Sequence, residues 1–291
     1  MKPSRIKKPL KVGILISGQI RFREAIPNHL NRIRNVVPNA TIIGACWDTC
    51  VSKYGCLEKE TNIKIHVFPE PEINYHPFEE NEYYYKGHEF WETRMQSMKD
   101  RGSFYYPPSS DNKESLKMSR QIKQLIIHNE LIRIYQNEFD IIVRCRWDQW
   151  VGQNLELEDL FQEVYVLPAV VSLTQRQGTF PISINSRIMT YDSYHSTTGI
   201  PVVDFDTREI TYRPHYLPWL HDSGFIIHRP HVWNVDLVDS LILNKNLLPA
   251  EWGWYQVLIE HGRSRYRHWD GGVEIVRDLR LENYIRPWKP N

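Results

Sequence analysis

Uninterrupted apolar runs, each closed by a few polar residues, alternate with helically spaced segments along the first half of the chain. Val12-Gly13-Ile14-Leu15-Ile16 reads as a fully buried strand that ends in Ser17-Gly18-Gln19. Ile26 to Val37 follows with apolar positions at Leu30, Ile33 and Val37 and an early Pro27, the spacing and start of a helix. Ala40 to Cys46 is a second buried strand, ending in Trp47-Asp48. Strand, helix and strand joined by short links predict a parallel pair with a right-handed crossover. The Ser17-Gly18 turn and the Trp47-Asp48 turn then share one edge of a sheet.

Ile63 to Phe68 extends the pattern with a third strand, after which Pro69 to Lys113 is polar and without period. A stretch of that length in a compact domain reads as a lid, a binding loop or a mobile segment. Ser119 is placed to cap a helix running to about Glu138, whose Ile122, Leu125, Ile126, Leu131, Ile132 and Tyr135 form a broad apolar face. That helix leads into Phe139-Asp140-Ile141-Ile142-Val143-Arg144-Cys145-Arg146-Trp147-Asp148-Gln149. Alternation in an extended segment would place Arg144, Arg146 and Asp148 on one side, with Val143, Cys145 and Trp147 on the other. Further on, Val202 to Tyr212 predicts a hairpin, and His221-Asp222-Ser223-Gly224 leads into a buried strand through His228. Asn234 would cap a helix to about Leu243, and Ala250-Glu251 opens another that stops at Gly262. The expected class is α/β, one domain over 1–291 with a mostly parallel sheet flanked by helices and an elaborated C-terminal half.

Charge and cysteine content narrow the function classes. Lys+Arg 36 against Asp+Glu 35 leaves a net charge of +1, which gives no footprint for sequence-independent nucleic-acid binding. The basic N-terminus precedes an apolar run, Val12 to Ile16, too short for a signal peptide or a membrane span, so a soluble cytoplasmic protein is expected. Cys46, Cys50, Cys56 and Cys145 form no CxxC pair and read as reduced thiols. The 10 Trp and 16 Tyr, many in polar surroundings, offer rings that can stack on sugars or bases.

In open parallel sheets, ligands bind beyond the carboxyl ends of the strands. Three such ends carry chemistry here: Ser17-Gly18-Gln19-Ile20-Arg21, Trp47-Asp48 and Arg144-Cys145-Arg146-Trp147-Asp148. Gly18 would let a phosphate or ribose approach the backbone closely, Arg21 and Arg23 add cations, and Trp47 could pack against a base. Guanidinium forks suit phosphate oxygens and a carboxylate suits a divalent cation, so the set predicts a nucleotide diphosphate pocket. The same residues also fit an internal Arg–Asp ion pair at a sheet edge. Neither GxGxxG nor GxxxxGK[ST] occurs, which argues against a dinucleotide oxidoreductase and a P-loop kinase.

The strand ends at Ile16-Ser17-Gly18-Gln19-Ile20-Arg21 and Cys46-Trp47-Asp48, with the helix feeding Phe139 to Asp148, resemble the WavE-like sugar transferases of lipopolysaccharide synthesis. That group is similar to GT-A glycosyltransferases and occurs in bacteria, large DNA viruses and phages. The likeness covers about the first 150 residues, then thins to Asp222-Ser223-Gly224-Phe225 and Glu251. It implies a GT-A-like fold with a nucleotide-sugar-binding half over 1–150 and an acceptor-binding half over 151–291. It also implies a nucleotide-sugar donor, a saccharide acceptor, and manganese or magnesium held by Asp148 as the last acid of a DxD motif. Arg146 stands where the first acid would be, so Arg146 could itself neutralise the leaving diphosphate. For an inverting transfer, Asp222 and Glu251 are the candidate bases. Two other readings are a phage-type transferase acting on a hydroxymethylated DNA base, disfavoured by the balanced charge, and a sugar- or nucleotide-binding module without catalysis.

Overall fold

A computed structural model of the chain describes residues 9–18, 23–51, 57–73, 113–151, 157–166, 169–175, 200–203, 210–213, 225–248, 250–262 and 264–275. The strands are β1 (Val12–Ser17), β2 (Thr41–Trp47), β3 (Lys64–Phe68), β4 (Ile141–Arg146), β5 (Gln149–Val151), β6 (Ala169–Gln175), β7 (Ile200–Val203), β8 (Ile210–Arg213), β9 (Ile226–His228) and β10 (Arg265–Ile275). Eight of them form one sheet in the order β3-β2-β1-β4-β9-β6-β10-β5, and β7 pairs with β8 as an antiparallel hairpin. The β3-β2-β1-β4 half is parallel throughout. β9 runs antiparallel to both β4 and β6, β10 is parallel to β6, and β5 closes the far edge antiparallel to β10.

The helices are α1 (Ile26–Val36), α2 (Leu57–Thr61), α3 (Lys113–Tyr135), α4 (Glu158–Val166), α5 (Val235–Leu243) and α6 (Ala250–Tyr255), the last continuing as a π-helical stretch Gln256–His261. Two apolar layers sandwich the sheet. On one face Ile26, Leu30 and Ile33 of α1 and Leu160, Phe161 and Val164 of α4 pack on Ile14, Ile16, Val143 and Cys145. On the other, Ile122, Leu125, Leu131 and Ile132 of α3, Val235 and Val238 of α5, and Trp254 pack on Leu15, Ile43, Ile142 and Ile226. The period-2 assignment of adjacent residues to opposite layers is the expected signature of strands buried on both sides. The chain is thus a three-layer α/β structure with a mostly parallel sheet flanked by helices. Among the described residues no helix is long and apolar enough to cross a membrane.

Two readings needed correction or fell short. α3 starts at Lys113, six positions before the Ser119 cap, because Lys113-Glu114-Ser115-Leu116-Lys117-Met118 is itself composed largely of good helix formers. The buried strand expected through His228 is β9, Ile226–His228, and the His221 to Gly224 cluster before it lies outside the described residues. The periodicity did not disclose β5, α4, β6 or β10. The Asn234 cap holds as read, with Leu237 N–H donating to its side-chain oxygen at 3.1 Å.

α3 is clamped from both ends of the second half. Trp233 Nε1 donates to Asn129 Oδ1 at 2.8 Å, Asn129 Nδ2 donates to Asp239 Oδ1 at 2.9 Å, and Arg133 binds both oxygens of Asp239 at 2.9 and 2.7 Å. α6 approaches α3 closely at Gly253, where an added Cβ would stand 2.2 Å from the Leu248 carbonyl oxygen and 2.8 Å from Leu125 Cδ2. The first of these is backbone and cannot rotate away. Gly253→Ala should therefore destabilise the fold by about 1–3 kcal/mol, through overpacking against the Leu248 carbonyl and Leu125 of α3. Urea denaturation of the two proteins checks this: a lowered midpoint at unchanged slope is expected, and an unchanged midpoint contradicts the contact.

Candidate functional site

The parallel ladder between β1 and β4 matches Val12 with Ile141 and continues to Ser17 with Arg146, while β1 also pairs with β2 from Gly13–Thr41 to Ile16–Gly44. The carboxyl ends of β2, β1 and β4 therefore lie side by side, as the sequence predicted. At the middle end Gly18 has φ +117, a backbone region that side-chain-bearing residues rarely adopt. Its missing side chain matters as well: a Cβ there would meet Gln124 Oε1 at 3.0 Å, so α3 lies directly over the end of β1.

Arg144, fully buried, enters the α3-side layer. Its guanidinium carbon sits 4.9 Å from the Trp254 ring centroid, a cation–π geometry. Beside it lie His128 and His228, whose Nε2 atoms are 3.3 Å apart. His228 Nδ1 faces the Arg229 carbonyl at 2.9 Å and must donate to it, which leaves His228 Nε2 as the acceptor for His128 Nε2–H. His128 Nδ1 then carries a lone pair, and that atom has no hydrogen-bond partner. Burial lowers the pKa of both rings: His228 falls to about 4, and His128 goes well below the ordinary value with help from His228 and Arg144. Both are neutral near pH 7.

Arg146 and Asp148 form the ion pair that the bland reading of the sequence allowed. Arg146 Nε and Nη2 donate to Asp148 Oδ1 and Oδ2 at 2.8 Å each, a two-point fork on a carboxylate whose side chain is 1% exposed against 19% for the arginine. Gln149 pins the turn between them, its Oε1 accepting from Arg146 N–H at 2.9 Å. Asp148 sits near His29 of α1, a ring lowered to about 4 by burial, partly offset by a hydrogen bond with the Arg146 backbone and by Asp148 itself. The neighbouring Cys145 thiol, 3.7 Å from His29 Nε2, is pushed far up by burial. Alternation thus held for Val143, Cys145 and Trp147, which share the α1-side layer. Asp148 falls after the strand, in the turn, where period 2 no longer applies.

A second polar network ties the end of β2 to β3 and α3. Asp48 Oδ1 accepts from Thr49 N–H at 2.8 Å and Glu70 N–H at 3.1 Å; Thr49 donates to Glu70, and Lys123 Nζ donates to Glu70 Oε1 at 2.6 Å. Burial would raise the Glu70 pKa, but the hydrogen bonds from Lys123 and Thr49 outweigh it and hold the carboxyl below its ordinary value.

The remaining candidates divide clearly. Ser17, Gly18, Asp48 and Arg146 lie at the adjacent ends of β1, β2 and β4, whereas Arg23 turns to Glu60 at 2.7 Å, an ion pair with both side chains more than a third exposed. Trp47 is only 8% exposed and packs in the α3-side layer, which leaves little ring surface for a base. Gln19, Arg21 and Asp222 lie outside the described residues, as does the side chain of Glu251, whose backbone stands in the first turn of α6. Among the described residues no group of three His, Cys, Asp or Glu side chains could hold a metal ion, and both Asp148 oxygens already accept from Arg146. These residues do not fit a divalent-cation centre. Gln124, Lys123 and His128 were missed, although a polar His128 between Leu125 and Leu131 on an apolar helix stripe was a legible signal.

No family model matches the sequence, and no curated protein matches it. Solved structures do resemble it in shape. A 4-diphosphocytidyl-2C-methyl-D-erythritol synthase from Anaerococcus prevotii aligns over 94% of both chains at 6% identity, with a TM-score of 0.48. Staphylococcus aureus TarS aligns over 90% of this chain and 58% of its own at 9% identity and a TM-score of 0.38, and a TarS structure in complex with UDP gives the same score. At such identities the likeness concerns shape and carries nothing about activity.

The buried histidines set an acid limit. An unfolded histidine titrates near 6.5, whereas His29 and His228 titrate at about 4 and burial holds His128 well below its ordinary value. The unfolded chain therefore binds protons first, so stability complete above pH 6.5 is lost as pH falls toward about 4, with a slope approaching ~1.4 kcal/mol per pH unit for each histidine. The Glu70 contribution is lost only lower, below its unfolded value of 4.5. Urea midpoints measured from about pH 7 to about pH 5 should fall steadily; a flat profile would contradict neutral burial of these rings.

Proposed function

We propose that the chain is a glycosyltransferase that moves a sugar from a nucleotide-diphosphate sugar to a glycan or lipid-linked saccharide. The observation that carries this reading is the positive-φ Gly18 at the middle of three adjacent strand ends, opposite the Arg146 side of the β1–β4 ladder and beneath α3. A diphosphate needs close backbone approach and fixed cations, and that edge supplies both.

Glycosyl transfer requires neutralisation of the charge that develops on the leaving diphosphate. Arg146 is the group for this, held in orientation by Asp148, with Arg144 adding positive potential from inside the α3-side layer. For an inverting transfer, a carboxylate must take the acceptor hydroxyl's proton. β9 begins at Ile226 opposite Arg144, so the chain enters it at the carboxyl edge of β4, which supports Asp222 as that base. Glu251, at the start of α6, is the second candidate. No step is assigned to a metal.

The commitment of Asp148 to Arg146 favours one other reading, a nucleotide-sugar-binding module without turnover. A thermal-shift screen against UDP, GDP, CDP and their sugars should raise the melting temperature for one nucleotide, by about 5 °C at roughly a hundredfold excess over Kd. With that nucleotide sugar and a saccharide acceptor, single-turnover release of the nucleoside diphosphate should follow, and Arg146→Ala should slow it about 100-fold. Binding without release indicates the module. A melting temperature that no nucleotide moves is incompatible with both.

A further inference from the structure

Two oxygens on the α3 side of the β1 terminus lack a hydrogen-bond donor: Ser17 Oγ, on a fully buried residue, and Gln124 Oε1. Ser17 alternates with Ile16 and so shares the face of Leu15, which packs in the layer that α3 covers. Gln124 belongs to α3, and its Oε1 stands 3.0 Å from where a Gly18 Cβ would be. Both oxygens therefore flank the same peptide at the mouth of the candidate site. Gln124 as a whole is part-exposed, so it borders that mouth rather than the deep core. A buried acceptor without a donor is costly, and native structures keep few of them unless something satisfies them in the working state.

We infer that Ser17 and Gln124 bind a vicinal diol, taking hydrogen bonds from two adjacent hydroxyls laid against Gly18. This deepens the nucleotide-sugar reading and rests on it. Phosphate oxygens accept only, so they would meet this corner through Ser17 Oγ–H or a Gln124 amide turned to present Nε2, whereas hydroxyls, which donate as well as accept, satisfy it as it stands. Among the described residues a flat base finds little aromatic surface there, since Trp47 is buried. Hydroxyls are donors, and two sources in a nucleotide sugar carry them in pairs: the ribose 2′- and 3′-hydroxyls and the transferred sugar. Arg146 stands across from Ser17 on the neighbouring strand, so a diphosphate held there places either ring within reach.

The test is calorimetric titration of the full chain with the nucleoside diphosphate that it binds, with the 2′-deoxy and 3′-deoxy forms, and with the matching nucleotide sugar. Loss of one ribose hydroxyl should weaken binding about 10-fold, the effect of one hydrogen bond. Gln124→Leu and Ser17→Ala should each weaken the ribonucleotide by a similar factor while leaving unchanged the one deoxy form that lacks the hydroxyl its residue binds, a coupling that general loss of packing would not produce. If the deoxy forms bind as tightly as the parent, but the nucleotide sugar binds more tightly and Gln124→Leu removes that advantage, the diol is that of the transferred sugar, and the inference stands with that source. Nucleotide binding that neither deoxygenation, sugar attachment nor these substitutions alter overturns the diol assignment alone. A chain that binds no nucleoside diphosphate overturns the donor reading and this inference together.

Discussion

The parallel ladder from Val12–Ile141 to Ser17–Arg146 is the constraint on which the candidate site depends. Because side chains alternate between faces, a slip of one residue in β4 would exchange every side chain it carries between the two layers. Arg144 would then point at Leu30 and Ile33 of α1, and Val143 would lie where the guanidinium now meets Trp254. Burying a charge among aliphatic side chains costs far more than the ladder's hydrogen bonds return, so the arginine itself enforces the register. Position at the sheet edge follows: Ser17 beside Arg146, Gly18 one step beyond, and α3 above.

That register loads the α3-side layer with polar groups that must be kept compatible. A buried guanidinium next to two imidazoles is tolerable only while the imidazoles are neutral, and burial supplies that condition by lowering both pKa values. The directed chain from His128 through His228 to the Arg229 carbonyl fixes one tautomer for each ring. Trp254 covers the cation from the side of α6, and Gly253 is the residue that lets α6 come near enough to α3 for this to happen. Helix packing, tautomer and charge state are here one coupled problem, which is why acid acts on the whole layer at once.

How far the sequence disclosed this depends on how local the signal was. β1, α1, β2 and β4 were legible because each of these strands contains or opens on an apolar run and the helix has its own period, and β3 because Ile63, Ile65 and Val67 alternate with Lys64 and His66. β10 was not, since Arg265-Tyr266-Arg267-His268-Trp269-Asp270-Gly271-Gly272 reads as polar and glycine-broken, and only its pairing with β6 and β5 makes it a strand. The grouping of Arg144, Arg146 and Asp148 on one side extended a strand rule past the strand's end; Gln149 turns the chain there by binding the Arg146 amide. Gln124 escaped notice because nothing in one helix says which strand end will lie beneath it.

The Arg146–Asp148 pair bears on the chemistry in a way that composition alone could not indicate. An exposed arginine loses much side-chain entropy when it grips a phosphate, a cost of about 2 kcal/mol at most. Here the fork is already immobilised, with Nε and Nη2 both fixed on a carboxylate that is 1% exposed. On the proposed reading, a diphosphate would meet an oriented guanidinium and be spared that entropy, the advantage of preorganisation. The same pairing lowers the net positive charge at the edge, so the site's potential rests more heavily on Arg144 within the sheet and on Lys123, itself shared with Glu70. Binding of a diphosphate at this edge would then owe its strength to geometry that folding has already set, more than to an excess of positive charge.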